Sequence, residues 1–163
     1  MTTDRIEKKV LLTASRERVW RAITEAKQFG TWFGVEFEGE FAAGRRLKGR
    51  MTPTKVDEEI ARQQEAYSGA EFVIVVERIE PMLLFAFRWH PSEPEPGGGD
   101  AEAQMTLVTF ELEDAAGGIL LTITESGFDA VPLEKRAQAF KSNEQGWGIQ
   151  CRLIERYLLG ERA

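Results

Sequence analysis

Apolar and polar positions alternate with a period of two through most of this chain, then switch to steps of three and four near its end. Ile6, Lys8, Val10 and Leu12 share one phase and predict a first strand over 6–12. Ser15 then offers a side-chain oxygen to the free amides of a short helix over 16–25, with Val19, Trp20 and Ile23 as its apolar stripe. Residues 28–33 predict a second short helix or turn, broken by Gly30 and Gly34. Helices this short are unstable alone, so both must lean on a sheet.

The sheet is written in the next hundred residues. Weaker strands are predicted over 35–41 and 46–51, joined around Ala43-Gly44. A β-branched run over 71–79 ends at Pro81. Over 82–90, Phe85, Phe87 and Trp89 alternate with Ala86, Arg88 and His90; over 105–113, Val108, Phe110 and Leu112 alternate with Thr109, Glu111 and Glu113. After a turn at Ala115 to Gly118, Ile119, Leu121 and Ile123 take the same inward phase. One apolar face and one polar face predict an antiparallel sheet covered on one side.

Two segments interrupt the ladder. Residues 54–67 have helical character, with Thr54 as the expected cap and Val56, Ile60 and Tyr67 near one face. Such an insertion serves as a lid over a pocket or as a surface excursion. Residues 91–103, with Pro94, Pro96 and Gly97-Gly98-Gly99, read as a loop.

Pro132 pre-sets a helix start. From there Leu133, Ala137, Phe140, Trp147, Cys151, Ile154 and Leu158 form a stripe interrupted only near Asn143-Glu144. A helix over 133–159 would run roughly 40 Å, and only a broad sheet could cover it. The expected fold is therefore α+β: a curved antiparallel sheet of six to seven strands, two short helices after the first strand, and a long C-terminal helix over the concave face.

Composition narrows the function. The chain has 163 residues, which fits a single domain over 1–163, and a net charge of −6 with acids and bases interspersed. No concentrated cationic face is available for a nucleic acid. The one cysteine excludes an internal disulfide and fits a reducing compartment. The first residues lack a signal peptide's apolar core and no run is long enough to span a membrane, so a cytoplasmic location is expected.

Ala14-Ser15-Arg16-Glu17-Arg18-Val19-Trp20, Trp32-Phe33, Ile79-Glu80-Pro81 and Leu84-Phe85 leading to Trp89 carry a resemblance. So do Val108 to Leu112, Leu121 to Phe128, and Asn143-Glu144-Gln145-Gly146-Trp147. Together these segments resemble the START-like (SRPBCC, helix-grip) superfamily. Within it they are most similar to homologues of the activator of the ninety-kilodalton heat-shock-protein ATPase (AHSA-type). The resemblance implies the fold just derived and an apolar space between sheet and last helix. It also implies three kinds of role: binding an apolar or amphipathic small molecule, interaction with a protein partner in a stress-related chaperone system, or chemistry on a polyketide-like or aromatic substrate.

No residue set reads as a catalytic machine, a metal site or a cofactor cradle. His90 is the only histidine and stands in the phase opposite Phe85, Phe87 and Trp89, so it should face solvent. Cys151 lies on the helix seam as a small hydrophobe. The residues expected to surround a ligand are Trp32, Phe85, Phe87, Trp89, Phe110, Ile123, Glu125, Phe140, Asn143 and Trp147. Most of these rings must be core.

Glu125 is the exception in kind. It falls in the inward phase at a strand end, where a carboxylate costs several kcal/mol unless it is paired or neutralised. A polar anchor inside a pocket is one reading; a salt bridge at the sheet edge, or a bulge turning it outward, is the preferred one. Asn143-Glu144 would hydrogen-bond a ligand, cap a backbone group, or mark where the helix lifts. Gly146 and Gly148 flank Trp147 at a cost of about 1 kcal/mol each. A bend, or close approach to the sheet, is the expected reason. Beyond Glu125, Asn143 and Glu144, only Arg88 and Tyr67 are available for acid–base work.

Overall fold

A computed structural model describes residues 5–91 and 104–160. Its sheet has seven antiparallel strands: β1 (Arg5–Leu12), β2 (Val35–Phe37), β3 (Arg46–Met51), β4 (Glu71–Glu80), β5 (Leu84–Trp89), β6 (Thr106–Ala115) and β7 (Gly118–Ser126). Their spatial order is β1-β7-β6-β5-β4-β3-β2. Every neighbour in chain order pairs except β1, which crosses to the far edge and pairs with β7. The helices are α1 (Arg16–Thr24), α2 (Ala26–Phe33), α3 (Glu58–Gln64) and α4 (Leu133–Gly160), and α4 contacts β1, α1 and α2. This is the helix-grip arrangement that the alternation implied.

Alternation fixes which side chains enter the concavity. Ile6 and Leu12 from β1, Leu121 and Ile123 from β7, Val108, Phe110 and Leu112 from β6, and Phe85 and Phe87 from β5 are all buried. The registers Phe85↔Phe110 and Phe110↔Ile123 place those residues in one row across three strands. Burying one such phenylalanine contributes about 1.5–3 kcal/mol.

The two short helices are held by side chains rather than by their own length. Ser15 Oγ accepts from Arg18 N at 3.2 Å, as expected of the cap. In α2, Phe29, Trp32 and Phe33 take positions i, i+3 and i+4 and are all buried. Trp32 Nε1 donates to Ala22 O at 2.9 Å and fastens α2 to α1. Gly30 is required by a close approach: a Cβ there would lie 2.1 Å from Val35 O.

Several expectations need correction. The strand expected over 35–41 ends at Phe37, although Phe41 still packs on the core. Thr54 does not cap the following helix. Asp57 does, accepting from Ile60 N at 2.9 Å, while the buried Thr54 hydroxyl donates to Trp32 O at 2.8 Å. Tyr67 is 66 % exposed rather than on an apolar face. Asp57 also pairs with Arg156, so the insertion is tied to α2 and α4. The capping amide and that guanidinium hold the Asp57 carboxyl below its ordinary range. At the start of α4, Leu133 is 74 % exposed and Ala137 is exposed; Ala139 enters the core in their place. The loop expected over 91–103 lies, beyond residue 91, outside the described residues.

Candidate functional site

Glu125 is the centre of the site. It is the next inward position after Ile123 on β7, pairs with Val108 in regular register, and is fully buried. Neither the edge salt bridge nor the bulge occurs: among the described residues no lysine or arginine meets it. Four uncharged donors converge on it instead. Trp147 Nε1 donates to Oε1 at 2.8 Å, and Trp89 Nε1 donates to Oε2 at 2.9 Å. Asn143 Nδ2 lies 2.9 and 3.1 Å from the two oxygens, and the Thr106 hydroxyl donates to Oε2. The lone pairs of a buried carboxylate are thus met by hydrogen bonds, which is what its burial requires.

Local folding explains the convergence. Trp89 stands directly opposite Thr106 in the β5–β6 ladder, and Thr106 is diagonal to Glu125 across β6–β7. Three inward residues at one end of three adjacent strands are therefore neighbours by register alone. From above, Asn143 and Trp147 stand four apart on α4, on one helical face. Asn143 points inward and Glu144 is exposed, so the interruption in the helix stripe is a single polar residue serving Glu125.

Beside this cluster lies a recess of about 70 Å³, lined by Phe33, Trp89, Asn143, Gly146, Trp147 and Gln150. The rings of Trp89 and Trp147 are 5.6 Å apart, and each is 6.1 Å from Phe33. Gln150 Nε2 donates to Phe33 O at 3.2 Å, and its Oε1, though buried, has no hydrogen-bond partner among the described residues. Two of the walls, the indoles, are also the donors that grip Glu125. A Cβ on Gly146 or Gly148 would meet nothing within 4 Å, so close approach to the sheet is not the reason for either glycine.

The remaining expected residues are placed elsewhere. Trp32, Phe85, Phe87, Phe110 and Ile123 are sealed in the core, and Phe140 packs on Phe128 at 5.2 Å. None of these lines the recess; of the ten, only Trp89, Asn143 and Trp147 do, with Glu125 directly behind the indoles. Phe33, Gly146 and Gln150 were missed. Gln150 had a signal: it is a polar residue three positions after Trp147, between the seam positions Trp147 and Cys151.

Of the groups available for acid–base work, Glu125 and Asn143 meet, whereas Arg88 pairs with Glu77, Glu144 is exposed and Tyr67 points away into solvent. His90 is half-buried just beyond β5. Burial pushes the Cys151 thiol up to about 11, with Lys8 acting weakly in the opposite direction. A thiol so protonated is a poor nucleophile at neutral pH. Among the described residues no cluster of His, Cys, Asp and Glu is arranged to hold a metal ion, and no helix is long and apolar enough to cross a membrane. A larger groove of about 680 Å³ runs along α2 and β2, but Glu25, Lys27, Glu36, Glu40 and Lys55 line it, and it has no link to the hollow's polar cluster.

Comparison with known proteins agrees with this architecture. Solved structures share the fold at low identity. One is a solution structure of a protein from Arthrobacter aurescens, with TM-score 0.71 and 18 % identity over 97 % of this chain and 87 % of that one. Another is the Aha1 dimer from Colwellia psychrerythraea, with TM-score 0.65 and 16 % identity over 97 % and 96 %. The crystal structure of DynU16, from the dynemicin biosynthetic locus, has TM-score 0.65 and 22 % identity over 95 % of this chain. The chain spans about half of DynU16, 47 % of its length. By sequence the chain matches no curated protein. The family described as "Activator of Hsp90 ATPase homolog 1-like protein" matches residues 13–159. The chain belongs to that family, within the START-like helix-grip superfamily.

Proposed function

We propose that this chain is a cytoplasmic, non-enzymatic binding module, a single domain over 1–163, that takes the head of an apolar or amphipathic small molecule between β5 and α4. The observation that carries this reading is the recess itself: three aromatic rings and two amide side chains around about 70 Å³, backed by the Glu125 cluster. Ligand sites combine apolar walls with a few fixed polar groups, and this end of the hollow has both. A space of that size admits a head group, with the remainder of the ligand lying across the half-buried Trp89.

Trp89 and Trp147 make the test direct. A panel of amphipathic small molecules should shift the tryptophan emission of the full chain, and Trp147→Phe should lose most of that response. Absence of any shift across the panel, together with native mass spectrometry showing no small molecule retained from cells, would overturn the reading.

A second reading rests on the family, whose description names an ATPase activator: the chain binds a protein partner. Affinity capture from its own cells, repeated with and without ATP, tests it. A reproducible chaperone partner supports that reading; none across repeats removes it.

A further inference from the structure

The recess has a sign, and the sign restricts what enters. Each indole owns one N–H, and both are spent on Glu125. Trp89 and Trp147 therefore offer the recess only ring carbons and π surface. Among the described residues, the buried polar atom left without a partner on the recess wall is an acceptor, Gln150 Oε1. Its assignment is not arbitrary: Nε2 must face Phe33 O, because two carbonyl oxygens cannot hydrogen-bond each other. Gln150 is only 9 % exposed, so that oxygen forfeits its hydration unless something in the recess donates to it.

The second element is charge. Glu125 is fully buried, and its partners among the described residues are four uncharged donors, a set that suits an acceptor-only carboxylate and supplies no counter-charge. It stands one hydrogen bond behind the two indoles that line the recess. Electron-rich ring faces attract cations, more strongly where water is excluded. A carboxylate hydrogen-bonded to the indole N–H increases that preference and repels an anion.

Resting on the binding role proposed above, we infer that the recess selects a small organic ammonium head, one that donates N–H to Gln150 Oε1 and lies against Trp89 and Trp147, and that it rejects carboxylates and phosphates. Selection falls on the head group. The apolar body at the mouth contributes affinity without discrimination.

Four probes of similar size separate the possibilities: benzylammonium, benzyl alcohol, toluene and benzoate, titrated into the full chain at pH 7 and fixed salt. The readout is the four indole N–H resonances. Trp89 and Trp147 report the recess, while Trp20, which neither lines it nor stacks on its walls, serves as the internal reference; Trp32 packs on Phe33 and is read separately. Benzylammonium should bind tightest, benzyl alcohol roughly tenfold weaker, toluene weaker again, and benzoate not at all. Gln150→Met, which keeps length and removes the acceptor, should weaken benzylammonium roughly tenfold and leave toluene unchanged.

Benzoate or toluene binding as tightly as benzylammonium overturns this inference alone and leaves the binding module standing. Failure of all four probes to move Trp89 or Trp147 overturns both. Circular dichroism checks that Gln150→Met is folded; if it is not, the order of the probes on the unaltered chain decides.

Discussion

Two neighbouring parts of the concavity are both lined with aromatic rings and differ in what they do with polar atoms. At one end Phe29, Phe41, Phe85, Phe87 and Phe110 pack ring against ring, with centroids 5.0–6.4 Å apart. At the other, Trp89 and Trp147 point their N–H groups at Glu125 while their rings border a recess. Phenylalanine can only fill space. Tryptophan fills space and satisfies a buried acceptor, so a carboxylate can be sealed behind it. The lesson is that a helix-grip hollow need not be a single cavity: here one part is packed core and the neighbouring part borders a recess.

The dry end should be the more sensitive to truncation. Phe110 is fully buried and touches Phe29, Phe85, Phe87 and Trp147. Phe110→Ala should cost about 3–5 kcal/mol, a large fraction of the roughly 5–15 kcal/mol by which folded domains are stable. Urea denaturation measures it. A loss under about 1 kcal/mol would mean that the rings are loosely packed and the contrast between the ends is false.

At the polar end the cost has another origin. Glu125→Gln keeps the shape but turns an amide N–H₂ toward donors that now lack an acceptor. Each unmet buried group costs about 1–3 kcal/mol, and partial rearrangement should hold the total to about 2–3 kcal/mol. Only this substitution should also move the indole N–H resonances of both Trp89 and Trp147, since it changes their acceptor. A neutral effect on stability with unmoved resonances would show that the cluster is not formed.

How far the chain announced these two ends follows from the range of the interactions. The strands were readable because residue type alternates along them, a local pattern; Phe85, Phe87, Val108, Phe110, Leu121 and Ile123 all enter the core in the phase their spacing implied, although Ala86, Thr122 and Thr124 of the opposite phase are buried as well. The inward phase of Glu125 was readable in the same way. Its partners were not. Trp89, Thr106, Asn143 and Trp147 stand 36, 19, 18 and 22 residues away, and only the strand registers and the seating of α4 bring them together. An inward carboxylate without visible donors reads as an ion pair waiting at the sheet edge. Cap choice failed for a local reason: Thr54 and Asp57 are both competent caps, and Thr54 was already committed to the Trp32 carbonyl, a contact across 22 residues. How far the hollow is filled was unreadable for the same reason, because alternation tells which rings face inward and not how tightly they mesh.

The smallest effect separates site from scaffold most cleanly, because it uses two glycines two residues apart on α4. Neither Gly146 nor Gly148 is crowded, and a Cβ on either meets open space. Both should therefore gain up to about 1 kcal/mol of stability when changed to alanine, since helix propensity is the only local term that changes. Gly146 lines the recess and Gly148 does not. Gly146→Ala should then stabilise the chain and weaken head-group binding severalfold, while Gly148→Ala stabilises it and leaves binding alone. Thermal unfolding and the indole titration read the two effects separately. Equal binding in both variants would remove the recess from any role in recognition and leave Gly146 as an unoptimised helix position. Loss of stability in both would instead mean that α4 bends at this point and needs the glycines for its backbone.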